Sequence, residues 1–189
     1  MRRYEMDYDI RISQTVTNDT LSEVCGFLWG AKGVSWNRVA FGNDSICEIP
    51  EFYIFCVVPR SVAMHIETHK KKNGCYVWMA TSRPDRGADE EEYSRKQPVR
   101  MVIKATARGL KEIALYRMCR KAEAETVRFM YALRKAMFKV NPYAALAMMP
   151  MCAYRNGLCT EHPNCGHTPF DYCSFKVSTD IVEKESSHE

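Results

Sequence analysis

No stretch of this 189-residue sequence stays apolar for the roughly 18 residues that a membrane-spanning helix needs, so no membrane partner is expected. The first residues carry Glu5 and Asp7 where a secretory leader needs an apolar run, so export by that route is not expected either. The phosphate-cradling glycine loop, the dinucleotide fingerprint and the nucleophile elbow are all missing. So are internal repeats. With no catalytic motif in view, the expectation is a protein that works by binding, not by catalysis.

What is present is ordinary globular composition. The chain is 46% hydrophobic and 26% charged, which argues against disorder and for one core of domain size. There are nine cysteines, an odd number, so complete internal pairing is impossible. Without a leader they read as reduced thiols. The net charge of +4 is unevenly placed. Residues 1–59 hold 5 basic and 8 acidic groups, residues 60–140 hold 19 and 9, and residues 141–189 hold 3 and 6. A basic middle segment suits nucleic acid or an acidic partner, or is simply a solvated helix face.

Alternation of Tyr4, Met6, Tyr8, Ile10 and Ile12 with mostly charged residues predicts a half-buried strand over 4–12. Thr20 and Glu23 match a capping box that starts a helix ending near Trp29 at Gly30. Further strands are expected over 34–41, 52–58, 75–81 and 99–103, with turns at 42–44 and 70–74 and a charged surface loop over 82–98.

Over 107–140 the residues Leu110, Ile113, Ala114, Met118, Ala122, Met130, Leu133, Met137 and Val140 recur at helical spacing and predict one long helix, closed by Pro142. Its other face carries Arg108, Lys111, Arg117, Arg120, Lys121, Arg128, Arg134 and Lys135, the candidate nucleic-acid contacts. The last dozen residues are expected to fray. The fold class is therefore α+β: a strand-rich part packed on one long basic amphipathic helix (1–145), a small Cys/His-rich module (146–175) and a tail (176–189).

That module is the strongest chemical signal. Zinc takes four tetrahedral sulfur or nitrogen ligands, brought together by tight turns. Cys159, Cys165, His167 and Cys173 form a candidate set, with His162 or Cys152 as substitutes, and Gly157, Pro163, Gly166 and Pro169 supply turns. The spacing lacks paired two-residue cysteine knuckles. The alternative is plain buried thiols. A closed four-ligand site would be structural.

Two weaker candidates remain. His65 and His69, with Glu67 between them, would share a helix face and could hold a catalytic metal, or lie solvated beside Lys70 to Lys72. Tyr76 and Trp78, with Arg83, could stack on bases, or pack as a core strand. Met148 to Met151 reads as gap-filling apolar surface or a partner patch.

Two separated stretches, Cys25-Gly26-Phe27-Leu28-Trp29 with Ser35 and Gly42-Asn43-Asp44-Ser45-Ile46, and Tyr154-Arg155-Asn156 ahead of Cys159 and Cys165, resemble the small accessory nonstructural nucleoprotein of parvoviruses. The resemblance implies a viral regulator in the host nucleus that supports genome replication and viral RNA processing. Its partners would be nucleic acid, RNA foremost, or host RNA-processing factors, and a host immune factor where interferon induction is blunted. The bocaparvovirus members carry an Arg/Ser-rich N-terminal arm that this sequence lacks. A zinc-stabilised adaptor for a host protein, and a metal-dependent hydrolase at His65, Glu67 and His69, are the alternative functions.

Overall fold

The computed structural model describes residues 8–30, 39, 45–69, 74–80, 95–155 and 157–166. Its frame is a four-stranded antiparallel sheet in the order β1-β2-β4-β3, where β1 is Ile10–Gln14, β2 Glu51–Pro59, β3 Cys75–Met79 and β4 Pro98–Thr106. The α+β class is therefore observed.

Register separates the two faces cleanly. Gln14, Phe52, Ala105 and Cys75 form one row across the sheet, and Ile12, Ile54, Ile103 and Val77 form the next. These rows face the helices, and Phe52, Ile54, Ile103 and Ala105 are fully buried. The alternate rows, Arg11-Phe55-Val102-Trp78 and Ser13-Tyr53-Lys104-Tyr76, face away. Tyr76 and Trp78 are about half exposed and stack on each other at 6.1 Å, so the core reading of this strand is corrected. Strand alternation sends aromatics outward here, because Cys75, Val77 and Met79 take the inner positions.

Helix α1, Asn18–Trp29, is capped by Thr17, whose hydroxyl accepts from the Thr20 amide, three residues earlier than the capping box placed it. It ends at Gly30, whose φ of 64° suits glycine. A 3₁₀ turn, Ser45–Glu48, leads into β2. Helix α2, Arg60–Glu67, follows β2 directly. Its first amides have no side-chain cap. Instead Arg60 and Ser61 N–H donate to the carbonyls of Gln97 and Arg95, which satisfies two otherwise orphaned donors.

At the start of β3, Gly74 has a φ of 74°, and a Cβ there would lie 2.6 Å from Thr106 Cγ2. Gly74→Ala should cost at least about 1–2 kcal/mol through the positive φ alone, read as a lowered urea midpoint. An unchanged midpoint would mean that this turn can open freely.

The single helix expected over 107–140 is corrected. There are two: α3, Ala107–Arg117, and α4, Ala124–Met137. Thr106 caps α3 through the Gly109 amide. One rod of that length would reach about 50 Å, well beyond a nine-residue strand of roughly 30 Å. The turn at 118–123 instead folds α4 back onto β1, α2 and α3. Met118, fully buried, anchors the turn, and Phe129, Met130, Leu133 and Met137 carry the inner stripe of α4. Tertiary burial here overrides good local helix propensity.

Pro142 begins a helix instead of merely closing one. α5, Pro142–Ala147, has Asn141 as its cap through the Ala144 amide, and proline suits its first position. The short α6, Met151–Tyr154, follows. Met148 and Pro150 are buried, so half of the supposed partner patch faces inward. The strand expected over 34–41 lies outside the described residues except for Val39, which is buried and helical. The turns at 42–44 and 70–73 and most of the 82–98 loop, Arg83 included, also lie outside them.

Candidate functional site

A polar cluster sits where the C-terminal ends of α2 and α3 meet the start of α4. His65 Nδ1 lies 3.0 Å from Glu123 Oε2 and 3.1 Å from Thr126 Oγ1. The Thr126 hydroxyl itself donates to Glu123 Oε2 at 3.2 Å, so its oxygen accepts from His65 Nδ1–H. This fixes His65 as a tie between α2 and α4.

One turn further, Arg117 Nε donates to His69 Nε2 at 3.0 Å and Arg117 Nη2 donates to Thr68 Oγ1 at 2.9 Å. The accepting Nε2 carries no proton in this arrangement. His69 also stacks on Tyr116 at 6.0 Å, and Tyr116 is half exposed. Both histidines are thus engaged with neighbouring helices. Among the described residues no three His, Cys, Asp or Glu side chains are gathered tightly enough to hold a metal ion.

Tyr116 and Arg117 line a cleft of about 480 Å³. Lys121, from the turn between α3 and α4, and Arg155, from beyond α6, also line it. So do Cys119, Cys152, Cys159 and Cys165. The cleft therefore joins three cationic side chains, the Glu161 carboxylate, the Tyr116 ring and four thiols. Burial first, and then the neighbouring Cys119, Cys165 and Cys159, push the Cys152 thiol up.

The basic residues do not form one continuous face. Lys111 and Arg134 are buried. Lys111 Nζ lies 4.8 Å over the Tyr154 ring, and Arg134 Nε donates to the Ala145 carbonyl at 2.9 Å. Burial lowers the Arg134 pKa from its ordinary value. Arg108 pairs with Glu48 at 2.9 Å. Arg120, Arg128 and Lys135 are exposed. Only Arg117 and Lys121 of the eight line the cleft.

Of the zinc candidates, Cys152, Cys159 and Cys165 come together at the cleft, while His162 is exposed and is not among its lining residues. His167 and Cys173 lie outside the described residues. Sequence reasoning missed Cys119, Tyr116 and Glu123, because the 107–140 pattern was read as one uninterrupted helix, and Thr68, which only the packing of α2 on α3 brings to Arg117.

The other described cysteines behave differently. Burial pushes the Cys56 thiol up to about 12 and Cys75 up to about 11. These groups stay protonated in the folded chain while the unfolded chain ionises near its ordinary value of about 8.5. Their contribution to stability is complete below that pH and is lost as the pH rises toward 11–12. The melting temperature should fall over that window, and Cys56→Ala should flatten the fall. A wild-type melting temperature constant from neutral pH upward would contradict this burial.

No protein-family model matches the chain, and no curated protein does. Among solved structures it is similar to thymidylate synthase X (ThyX) from Helicobacter pylori, solved with FAD and dUMP. The likeness has a TM-score of 0.58 at 12% identity and covers 75% of this chain and 97% of that one. At that identity what is shared is the fold alone, over three quarters of this chain.

This finding overturns the reading of the chain as a viral regulator of RNA processing and genome replication. The residues behind that and the alternative readings have structural employment. Cys25 is buried in α1. The Tyr154 hydroxyl donates to the Ala147 carbonyl at 3.0 Å. His65 and His69 hold helices together. Among the described residues no helix is long and apolar enough to cross a membrane.

Proposed function

We propose that this chain is a nucleotide-binding enzyme of the thymidylate synthase X kind, taking a uridine monophosphate and a flavin at the cleft beside Arg117. The observation that carries the reading is the three cationic side chains and the Tyr116 ring of that cleft, on a fold shared with a protein solved with dUMP and FAD.

The residues fit such ligands. A phosphate needs forked or clustered cationic donors, and Arg117, Lys121 and Arg155 supply them around one opening. A base or flavin ring needs a flat partner, and the half-exposed Tyr116, backed by His69, offers one. The volume of about 480 Å³ lies within the range of roughly 300–1,000 Å³ usual for small-molecule sites. A bound flavin would supply electron-transfer chemistry that side chains lack. The chain's own part is to orient: Arg117 is held by Thr68 and His69 before any ligand arrives, so less side-chain freedom is lost on binding.

The test is calorimetric titration of the full chain with dUMP and with deoxyuridine, and fluorescence titration with FAD, followed by an assay for dUMP turnover. The expected result is FAD binding, and dUMP binding at least about tenfold tighter than deoxyuridine, a difference of about 1.4 kcal/mol. Absence of both dUMP and FAD binding at about millimolar concentration would remove the proposal.

A further inference from the structure

An antiparallel sheet with helices on one face normally turns polar residues to the other. Here the other face carries four aromatic rings, Tyr53 and Phe55 on β2 and Tyr76 and Trp78 on β3. The last two are about half exposed and nearly parallel, at 15°. Exposed rings gathered on one face mark a contact surface. None of the four lines the cleft beside Arg117.

Cations stand among the rings. The Arg11 guanidinium lies 4.5 Å over the Phe55 ring. Lys104 Nζ lies 5.8 Å from the Tyr76 centroid and 6.0 Å from that of Tyr53. Arg100 is exposed, opposite Val57 in the next outward row. The one carboxylate in the outward rows of the four strands is Glu51, and Lys104 binds it at 2.8 Å. Asp9 stands just ahead of β1. With Lys104 and Glu51 neutralising each other, Arg11 and Arg100 are the charges that the strands offer a partner.

We propose that this outer face binds single-stranded nucleic acid. Bases stack on Tyr76, on Trp78 and on the guanidinium that covers Phe55, and phosphates meet Arg100 and the edge of Arg11. A guanidinium on a ring can do both, because its plane stacks while its edge donates hydrogen bonds.

The chemistry selects this occupant. Every base has a π-face, so a ring platform takes bases of any sequence, whereas a duplex hides those faces in its stack. Same-face residues two apart on a strand lie roughly 7 Å apart, about twice the roughly 3.4 Å rise of a stacked strand, so the rings meet splayed bases. A sheet also holds its rings in place before the ligand arrives, which lowers the entropy lost on binding. A second copy of the chain is disfavoured. Twofold pairing of this face would bury Arg11 and Arg100 from each chain, with no unpaired carboxylate in the strands to meet them.

The inference rests on the sheet and stands apart from the nucleotide reading of the cleft. The experiment is fluorescence anisotropy of the full chain with labelled oligothymidylate, oligouridylate and a hairpin duplex, over a salt series. The variants are Trp78→Ala, Trp78→Phe and Arg100→Ala, each first checked by its melting curve. Expected is comparable binding of the two single strands, with the duplex at least about tenfold weaker. Trp78→Ala should weaken binding by at least about fivefold, and Trp78→Phe should recover most of it. The logarithmic salt slope should be about −1.4 for two phosphates and about −0.7 in Arg100→Ala. No single-strand binding, equal binding of the duplex, wild-type affinity in Trp78→Ala, or an unchanged slope in Arg100→Ala would each overturn it. Self-association that Trp78→Ala abolishes, with no strand bound, would assign the face to a second copy instead.

A second measurement needs no variant. Wild-type protein is photocross-linked to oligouridylate carrying 4-thiouridine, and the attached peptides are read by mass spectrometry. Cross-links to β2 or β3 support the site. Cross-links confined to peptides outside these strands, those of the cleft included, overturn it.

Discussion

Arg117→Ala should weaken dUMP binding by roughly 10- to 100-fold while leaving the fold almost as stable as wild type. The size follows from the chemistry: hydrogen bonds to a charged group are worth about 1.5–3 kcal/mol. The small effect on stability follows from the setting. Arg117 spans Thr68 and His69 at a partly exposed junction, where such ties are worth about 1 kcal/mol or less. Calorimetry with dUMP and thermal unfolding on the same preparation separate the two quantities.

Arg117→Lys sharpens the test. Lysine keeps the charge but loses the planar fork, so it should recover only part of the affinity and leave His69 and Thr68 without their shared donor. An Arg117→Ala chain that binds dUMP as tightly as wild type would place the phosphate elsewhere. A chain that loses affinity only because it unfolds would show that loss in its melting curve.

The largest effect on stability is expected from Phe129→Ala, at about 3–5 kcal/mol, which lowers the melting temperature of a chain this size by about 10 °C. Phe129 is fully buried on α4, and the ring of Tyr8 meets it edge-on at 5.5 Å and 78°. The Tyr8 hydroxyl in turn reaches the Glu125 carbonyl at 3.4 Å. Phe129 thus docks α4 at the β1 edge of the sheet, and its removal leaves a cavity that rigid neighbours fill poorly. Tyr8→Phe should cost far less, since the long hydroxyl contact is the only bond removed. A loss below about 1 kcal/mol for Phe129→Ala would mean that α4 does not rest on the sheet as described.

The same helix shows where sequence patterning succeeds and where it stops. The stripe Met130, Leu133 and Met137 is legible at helical spacing and is buried. The break before it is not legible, because residues 118–123 contain neither proline nor glycine and continue the helical pattern through Met118 and Ala122. Only the length of the sheet and the return of α4 to β1 make a turn there favourable. With the turn hidden, Cys119 read as one more helix residue, and Lys111 and Arg134 read as parts of an open basic face.

What the sequence determined by itself is local. The strands read over 52–58 and 99–103, the glycine that ends α1 and the partition of charge all act over a few residues, where composition and backbone preference decide the outcome. The tertiary structure alone decided which groups share a site. Arg117 meets His69 across 48 positions. Tyr116 and Cys119, from the end of α3, share one cleft with Arg155, Cys159 and Cys165 from beyond α6. The physical reason is that side chains distant in sequence are brought together by burial of the helix faces beneath them. That burial depends on the order and length of the strands, which no short motif records.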